Sequence, residues 1–435
     1  MRRRIGLLLL LPALLAAGGI AACADPTPTG RVTVIASWSE APGGDGTTPP
    51  DTEAAAFVAV LDEFERRTGI TVDYRGTRDV SQVLRSGVDR GSPPDVAVLP
   101  RLNDLQTYVH SRKLHPLDDV LGADRRADLE PQLVTLGGRV YGLSVNVVPK
   151  SLVWYATDRQ PALAGRPPAT WEELVEFGAG RRTPWCLGMG APPLSGWPGT
   201  DWIEDLFLHR WGAQTYQAWT AGDLRWDSPQ MREVWQAWGE VTRAGRSTPN
   251  ALLTGFNVAG LGMFAERPEC QLDHHGSYIV RDYRREAPGR FDFFPFPPFA
   301  ARGGTATTTE IAEDVVGMFE DTPEARELIR FLAGERARQV WREASGGLSF
   351  TLNRGTDPAG YPDPVSRRIA ETLTRGTLCR DASDLMPAAM TAAFHRAVLH
   401  HLDDPRDLAA LLRELDTVRD RIPAEEWLDL PCLGR

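Results

Sequence analysis

The 435-residue sequence has little lysine, few cysteines and no familiar hydrolase motif. Lys113 and Lys150 are its two lysines; the other 46 of its 48 basic residues are arginines, a coding bias that carries no stability argument. Beyond the first residues no apolar run approaches the ~20 residues that a helix needs to span a ~30 Å hydrocarbon core, so the body reads as soluble. No Gly-x-Ser-x-Gly or His-Glu-x-x-His pattern occurs, which removes the commonest signatures of a serine hydrolase or a zinc protease. No Cys-x-x-Cys pair or Cys/His metal spacing occurs, and the pairs His274-His275 and His400-His401 lack further ligands at suitable spacing. No metal or cofactor is expected. Positive charge is also short, with 48 Lys and Arg against 58 Asp and Glu and a net charge of −10, which argues against nucleic acid as a partner.

What is present begins with an export signal. Arg2, Arg3 and Arg4 precede an apolar run from Leu7 to Leu15, too short to span a bilayer but right for a signal peptide. Ile20-Ala21-Ala22-Cys23 resembles the bacterial lipobox, whose cysteine is acylated and becomes the first residue of the mature chain. The resemblance implies cleavage of residues 1–22, a lipid anchor on Cys23 and a flexible Pro/Thr-rich tether over 23–30. The chain is then expected on the outer face of the cytoplasmic membrane. Without Arg2, Arg3 and Arg4 the 48 basic residues become 45 against 58 acids, a net charge of −13.

Four cysteines remain: Cys186, Cys270, Cys379 and Cys432. An even number in an exported chain favours disulfides. Proximity favours Cys186 with Cys270 and Cys379 with Cys432, though three connectivities stay open.

The remainder is too long for one ordinary core and suggests two domains. A strand is expected over 31–38, a helix over 53–67 with Phe57, Val60, Leu61 and Phe64 on one face, and a stop at Gly69. A strand over 70–74, a helix over 80–90 and a nearly all-apolar strand over 95–99 complete a β-α-β-α-β order, hence a parallel-rich α/β sheet. Ligands in such sheets sit beyond the carboxyl ends of the strands, after Trp38 and after Leu99. Thr170, with Glu173 three residues on, signals a capped helix start. The Phe/Pro alternation of 291–299 allows at best an edge strand. Trp211, Trp219, Trp226, Trp235 and Trp238 read as core.

Several segments together resemble the extracellular solute-binding proteins of ABC importers. These are Val58 to Glu65 followed by Thr68 to Val72, Pro93 to Ala97, Tyr141 to Leu143 with Lys150 to Tyr155, Pro168 to Leu174, and Asp321 to Arg326 leading to Phe331-Leu332-Ala333. Pro184 to Gly188, Ser195 to Asp205 and Ala382 to Pro387 resemble the α-glucoside branch of the carbohydrate binders. The resemblance implies a two-lobed, type II periplasmic-binding-protein-like fold with a hinge, and delivery of an α-glucoside or other oligosaccharide to permease subunits by a monomer without catalytic activity. Its lobes would comprise 31–148 plus 301–347 and 149–300 plus 348–435. The chain departs from the branch at Thr307-Thr308-Thr309-Glu310, around His274 to Tyr278, and in its loop from Ala41 to Thr52.

A sugar needs aromatic platforms for its C–H faces and charged or amide groups for its hydroxyls. Trp197, between Gly196 and Pro198, reads as a loop platform, with Asp201 and Trp202 following at a helix start. Trp38, Glu40, Arg101 and Asn103 follow strand ends. Lys150, His275, Tyr278 and Glu310 enter by position, and Gly347 by its tight turn. Two rivals stand beside this reading: a binding protein of the same fold for a polyamine, peptide or metal, and a secreted glycoside hydrolase with two carboxylates flanking the bond.

Overall fold

The computed structural model describes residues 30–39, 52–181, 183–244, 248–300 and 308–434. The signal segment 1–22, Cys23, most of the 23–30 tether and Glu40, all singled out from the sequence, lie outside them.

The molecule is built on two sheets. Among the described residues twelve strands run in chain order as β1 (Gly30–Ala36), β2 (Ile70–Gly76), β3 (Val96–Leu99), β4 (Leu133–Leu136), β5 (Arg139–Pro149), β6 (Leu152–Ala156), β7 (Trp185–Cys186), β8 (Leu272–His274), β9 (Phe291–Pro295), β10 (Thr308–Met318), β11 (Thr377–Arg380) and β12 (Leu433–Gly434). The larger sheet has the order β12-β11-β10-β3-β1-β2, with β5 also paired to β10 and β4 to β5. β1 runs parallel to β2 and β3, as the β-α-β-α-β pattern requires. β10 runs antiparallel to β3 and β5, so the sheet is mixed. The smaller sheet, β7-β8-β6-β9, is mostly antiparallel, and its Phe/Pro-rich strand β9 does lie at an edge.

Local signals account for most element ends. The helix Thr52–Thr68 buries Phe57, Val60, Leu61 and Phe64, and Gly69 follows it at φ 71°. Thr170 caps the helix Trp171–Gly178 by accepting from the Glu173 amide, while Glu173 accepts from the Ala169 amide. Trp219, Trp226, Trp235 and Trp238 are buried in the second lobe's core.

Only Lys150 and Ser151 separate β5 in the larger sheet from β6 in the smaller one. This crossing places Lys150 between the lobes. Residues 348–435, read from sequence as part of the second lobe, divide instead. β11 and β12 extend the larger sheet, while the helices Ala388–Asp403 and Leu408–Arg419 pack into the second lobe's core. Disulfides join Cys186 to Cys270, with Cα atoms 5.2 Å apart, and Cys379 to Cys432, 4.4 Å apart. Among the described residues no helix is long and apolar enough to cross a membrane.

Candidate functional site

An aromatic wall and a charged floor meet beside the Lys150 crossing. The wall starts at Trp197, which opens the helix Trp197–Trp211 instead of lying in a loop. Gly196 caps that helix at φ 106°, and a Cβ there would come within 2.6 Å of the His395 carbonyl oxygen. Only glycine fits this approach, and it fixes where Trp197 emerges. Trp197 meets Phe256 at 4.9 Å, Tyr278 at 5.7 Å and His275 at 6.1 Å between ring centroids. Phe256 closes the group on His275 and Tyr278 at 6.0 Å each. Tyr278 and His275 share a hydrogen bond of 3.0 Å at Nδ1. Trp197 and Tyr278 stay only partly buried, so the wall keeps an accessible surface.

The Lys150 ammonium lies 5.7 Å from the Trp197 ring centroid and links wall to floor. It donates to Asp201 Oδ1 at 3.0 Å and to Asp381 Oδ2. Asp201, Glu204 and Asp205 occupy one helical turn, at spacings of three and four that turn them to one face. Glu204 Oε2 accepts from the Ala382 amide at 2.7 Å. Asp205 accepts from Ser151 Oγ and pairs with His274 Nε2 at 2.6 Å. Asp381 Oδ1 takes Ser383 Oγ and the Asp384 amide. One oxygen each of Asp201, Glu204 and Asp381 lies within 4.8 Å of the others, an arrangement able to hold a cation.

Burial shapes the charge states. It disfavours the Lys150 ammonium, but Asp201 and Asp381 outweigh it and hold the group well above its ordinary value. Burial pushes Asp201 up to about 6 against the pull of Lys150. Burial also raises Glu204 and Glu310 well above the carboxylate range, helped by Asp381 beside Glu204 and by Glu204 beside Glu310. His275 is pushed down to about 3 by burial and by His274 and Lys150, so it is neutral.

The sequence candidates scatter. Lys150, Trp197, Asp201, His275 and Tyr278 come together. Glu310 reaches the floor but is wholly buried rather than solvated, its amide held by Ser151 Oγ. Arg101 is clamped by Asp104 and Ser81 on the wall of an interlobe cleft of about 710 Å³. That cleft is lined by Arg78 and Arg85 from one side and by Pro193, Leu194, Ala388 and Ala392 from the other. Asn103 spends its amide on the carbonyls of Leu385 and Glu426. Trp38 is 6% exposed and packs on Phe57 and Trp341 in the first lobe's core. Trp202 is buried against Trp185 and His274. The Gly347 amide bonds the Arg342 carbonyl and closes the helix Glu335–Ala344, so it does not reach for a ligand. Sequence reasoning missed Phe256, Glu204 and Asp381. Only Glu204 carried a local signal, its spacing of three from Asp201.

Residues 59–360 match a family described as bacterial extracellular solute-binding protein. The osmoprotective compounds-binding protein GgtB of Synechocystis sp. is 32% identical over 79% of this chain and 84% of its own. The α-glucosides-binding periplasmic protein AglE of Rhizobium meliloti is 28% identical over 78% of both chains. Among solved structures the bacterial solute receptor AcbH, with its preference for β-D-galactopyranose, superposes with a TM-score of 0.73 over 89% of this chain and 98% of its own. Its sequence identity of 17% makes that a likeness of fold alone.

Proposed function

The chain belongs to the bacterial extracellular solute-binding proteins, and on that premise we propose that it captures a small α-glucoside between its lobes and delivers it to an ABC permease. One observation carries the ligand class: the Trp197, Phe256, His275 and Tyr278 wall stands beside the Lys150–Asp201 pair. The rings offer apolar faces to sugar C–H groups, and the charged pair offers a donor and an acceptor to hydroxyls. The name of AglE, an α-glucosides-binding protein, points the same way. The polyamine reading loses Trp38 to the core.

In this reading the lobes exchange between open and closed arrangements about the Lys150–Ser151 crossing. A ligand that touches both lobes favours the closed one, because only there are both sets of contacts made. The protein holds its ligand without turnover and works as a monomer. Acylated Cys23 and the tether keep it on the outer membrane face at high local concentration beside the permease.

Calorimetry and thermal shift against maltose, trehalose, sucrose and spermidine test the ligand class. A glucoside at 100 times its Kd stabilises by about 2.7 kcal/mol. Trp197→Ala weakens that binding by about 1–3 kcal/mol, by analogy with stacking on other π-faces. Trp38→Ala instead lowers stability by ~3–5 kcal/mol, as expected of a core aromatic, and leaves the affinity of the folded protein alone. Stabilisation by spermidine with every glucoside silent, or release of monosaccharide from an oligosaccharide, sinks the proposal. Cys23→Ser moves the protein from the membrane to the soluble fraction if the anchor reading holds.

A further inference from the structure

The carboxylates at the interlobe crossing outnumber the cations that could neutralise them. Asp201, Glu204, Glu310 and Asp381 are all buried, and Lys150 is the one ammonium among them. Their hydrogen bonds leave a specific remainder. Asp201 Oδ2 and Glu204 Oε1 have no partner, and neither oxygen of Glu310 has one. Glu310 is 0% exposed and faces Glu204, Asp205, Asp381 and Lys150. A buried carboxylate with neither oxygen bonded is costly and calls for a partner. A lone ammonium already bonded to Asp201 and Asp381 cannot serve all four.

We propose that this cluster is a divalent-cation site of the calcium class, with Asp201, Glu204 and Asp381 as its core ligands and Glu310 completing the shell. The donor set is all carboxylate oxygen, which suits a hard cation rather than zinc or copper. Burial favours calcium over magnesium, because calcium takes six to eight oxygen ligands in a flexible geometry, whereas magnesium demands a near-ideal octahedron and keeps several of its waters. One oxygen from each of the three core carboxylates lies within 4.8 Å of the others, close enough to share one ion. A divalent ion would leave its four carboxylate ligands and the Lys150 ammonium at a net charge of −1, Asp205 being paired separately with His274. It would also tie the helix Trp197–Trp211 to β10 and to the Asp381 turn, joining both lobes.

The inference does not rest on the sugar reading: Asp201 is common to both, but Glu204, Glu310 and Asp381 have no part in the sugar reading. The test uses the exported mature protein, first as purified and then after chelator treatment and dialysis. Elemental analysis of the purified protein should find about one calcium per chain. Calcium added to the stripped protein should bind saturably at one equivalent by calorimetry and raise Tm. Magnesium should bind more weakly. Glu204→Gln and Glu310→Gln should each weaken calcium binding by at least about tenfold, while Asp404→Asn, at an exposed ion pair, should not change it. The proposal falls if stripped wild-type protein shows no saturable calcium binding, the outcome expected if protons neutralise the cluster. It falls equally if both glutamine variants bind as wild type does. Maltose and trehalose titrations on the same samples separate the two readings, since loss of either binding leaves the other measurable.

Discussion

Glu310 and Glu313 stand three residues apart on β10, on opposite faces of one strand, and meet different fates. Glu313 Oε2 accepts from Arg380 Nε on β11, and Arg380 also donates to the Pro431 carbonyl at 3.1 Å. Both side chains are buried, so this is an ion pair closed off from water. Glu310 pairs by register with Cys379, the neighbour of Arg380, and has no cation of its own. The pleat that sends Arg380 toward Glu313 sends Cys379 and Asp381 the other way. The fold thus neutralises one buried glutamate with an arginine and surrounds the other with acids. A core under selection only for stability has a simple solution to hand and uses it one face away. The difference marks the Glu310 face as a place where charge is kept for a ligand.

Removing Arg380 is the severest way to test this contrast. Arg380→Met strands Glu313 without its cation and should cost about 3–5 kcal/mol in urea unfolding. Arg380→Met with Glu313→Leu should recover most of that loss, since the penalty lies in the uncompensated charge. A single variant within ~1 kcal/mol of wild type would mean that Glu313 is no better served than Glu310, and the comparison would collapse.

Asp273 is an intermediate case: a buried acid served by a hydroxyl instead of a cation. Its Oδ2 accepts from Tyr283, while its Oδ1 has no hydrogen-bond partner and lies 3.9 Å from the neutral His275 ring at Nε2. Burial pushes it up to about 7, against an ordinary value near 3.9 in an unfolded chain. The folded protein therefore keeps a proton that the unfolded chain has released. The stability this contributes is complete below about pH 4 and drains as pH rises through 7. Between pH 5 and pH 8 the loss should be on the order of 2 kcal/mol, and Asp273→Asn should remove that part of the slope in a pH series of unfolding curves. An unchanged slope would show that Tyr283 alone suffices to hold the charged form.

Much of the scaffold was legible because its signals are local. The helix Thr52–Thr68 follows from periodicity, the start at Trp171 from a capping box, and edge strand β9 from its prolines. The larger sheet was legible only in its parallel half, since nothing local says that β10 returns antiparallel between β3 and β5. Trp38 was misplaced although a signal existed. Val32, Val34 and Ala36 face the first lobe's core, and a period of two carries Trp38 onto the same face. Lys150, Trp197 and Tyr278 were found because they lie in recognisable segments. Phe256 was not, because it reaches the wall through a bridge between Gly190 and Gly255 that pairs distant loops. Asp381 joins Lys150 across 231 positions of sequence, a meeting that no spacing encodes.

The mildest change isolates the comparison best. Glu310→Gln removes a buried charge but keeps the volume and one carbonyl oxygen. Nothing bonds either carboxylate oxygen, so no protein hydrogen bond is lost with them. In chelator the variant should be at least as stable as wild type, far from the penalty at Arg380, because removing an unpaired buried charge relieves a cost and breaks no contact. Calcium should then separate the two proteins: wild type gains in Tm and the variant does not. A loss of several kcal/mol in chelator would instead reveal that Glu310 already has a stabilising partner in the ion-free protein. The asymmetry between the two faces of β10 would then be one of partner identity, not of partner absence.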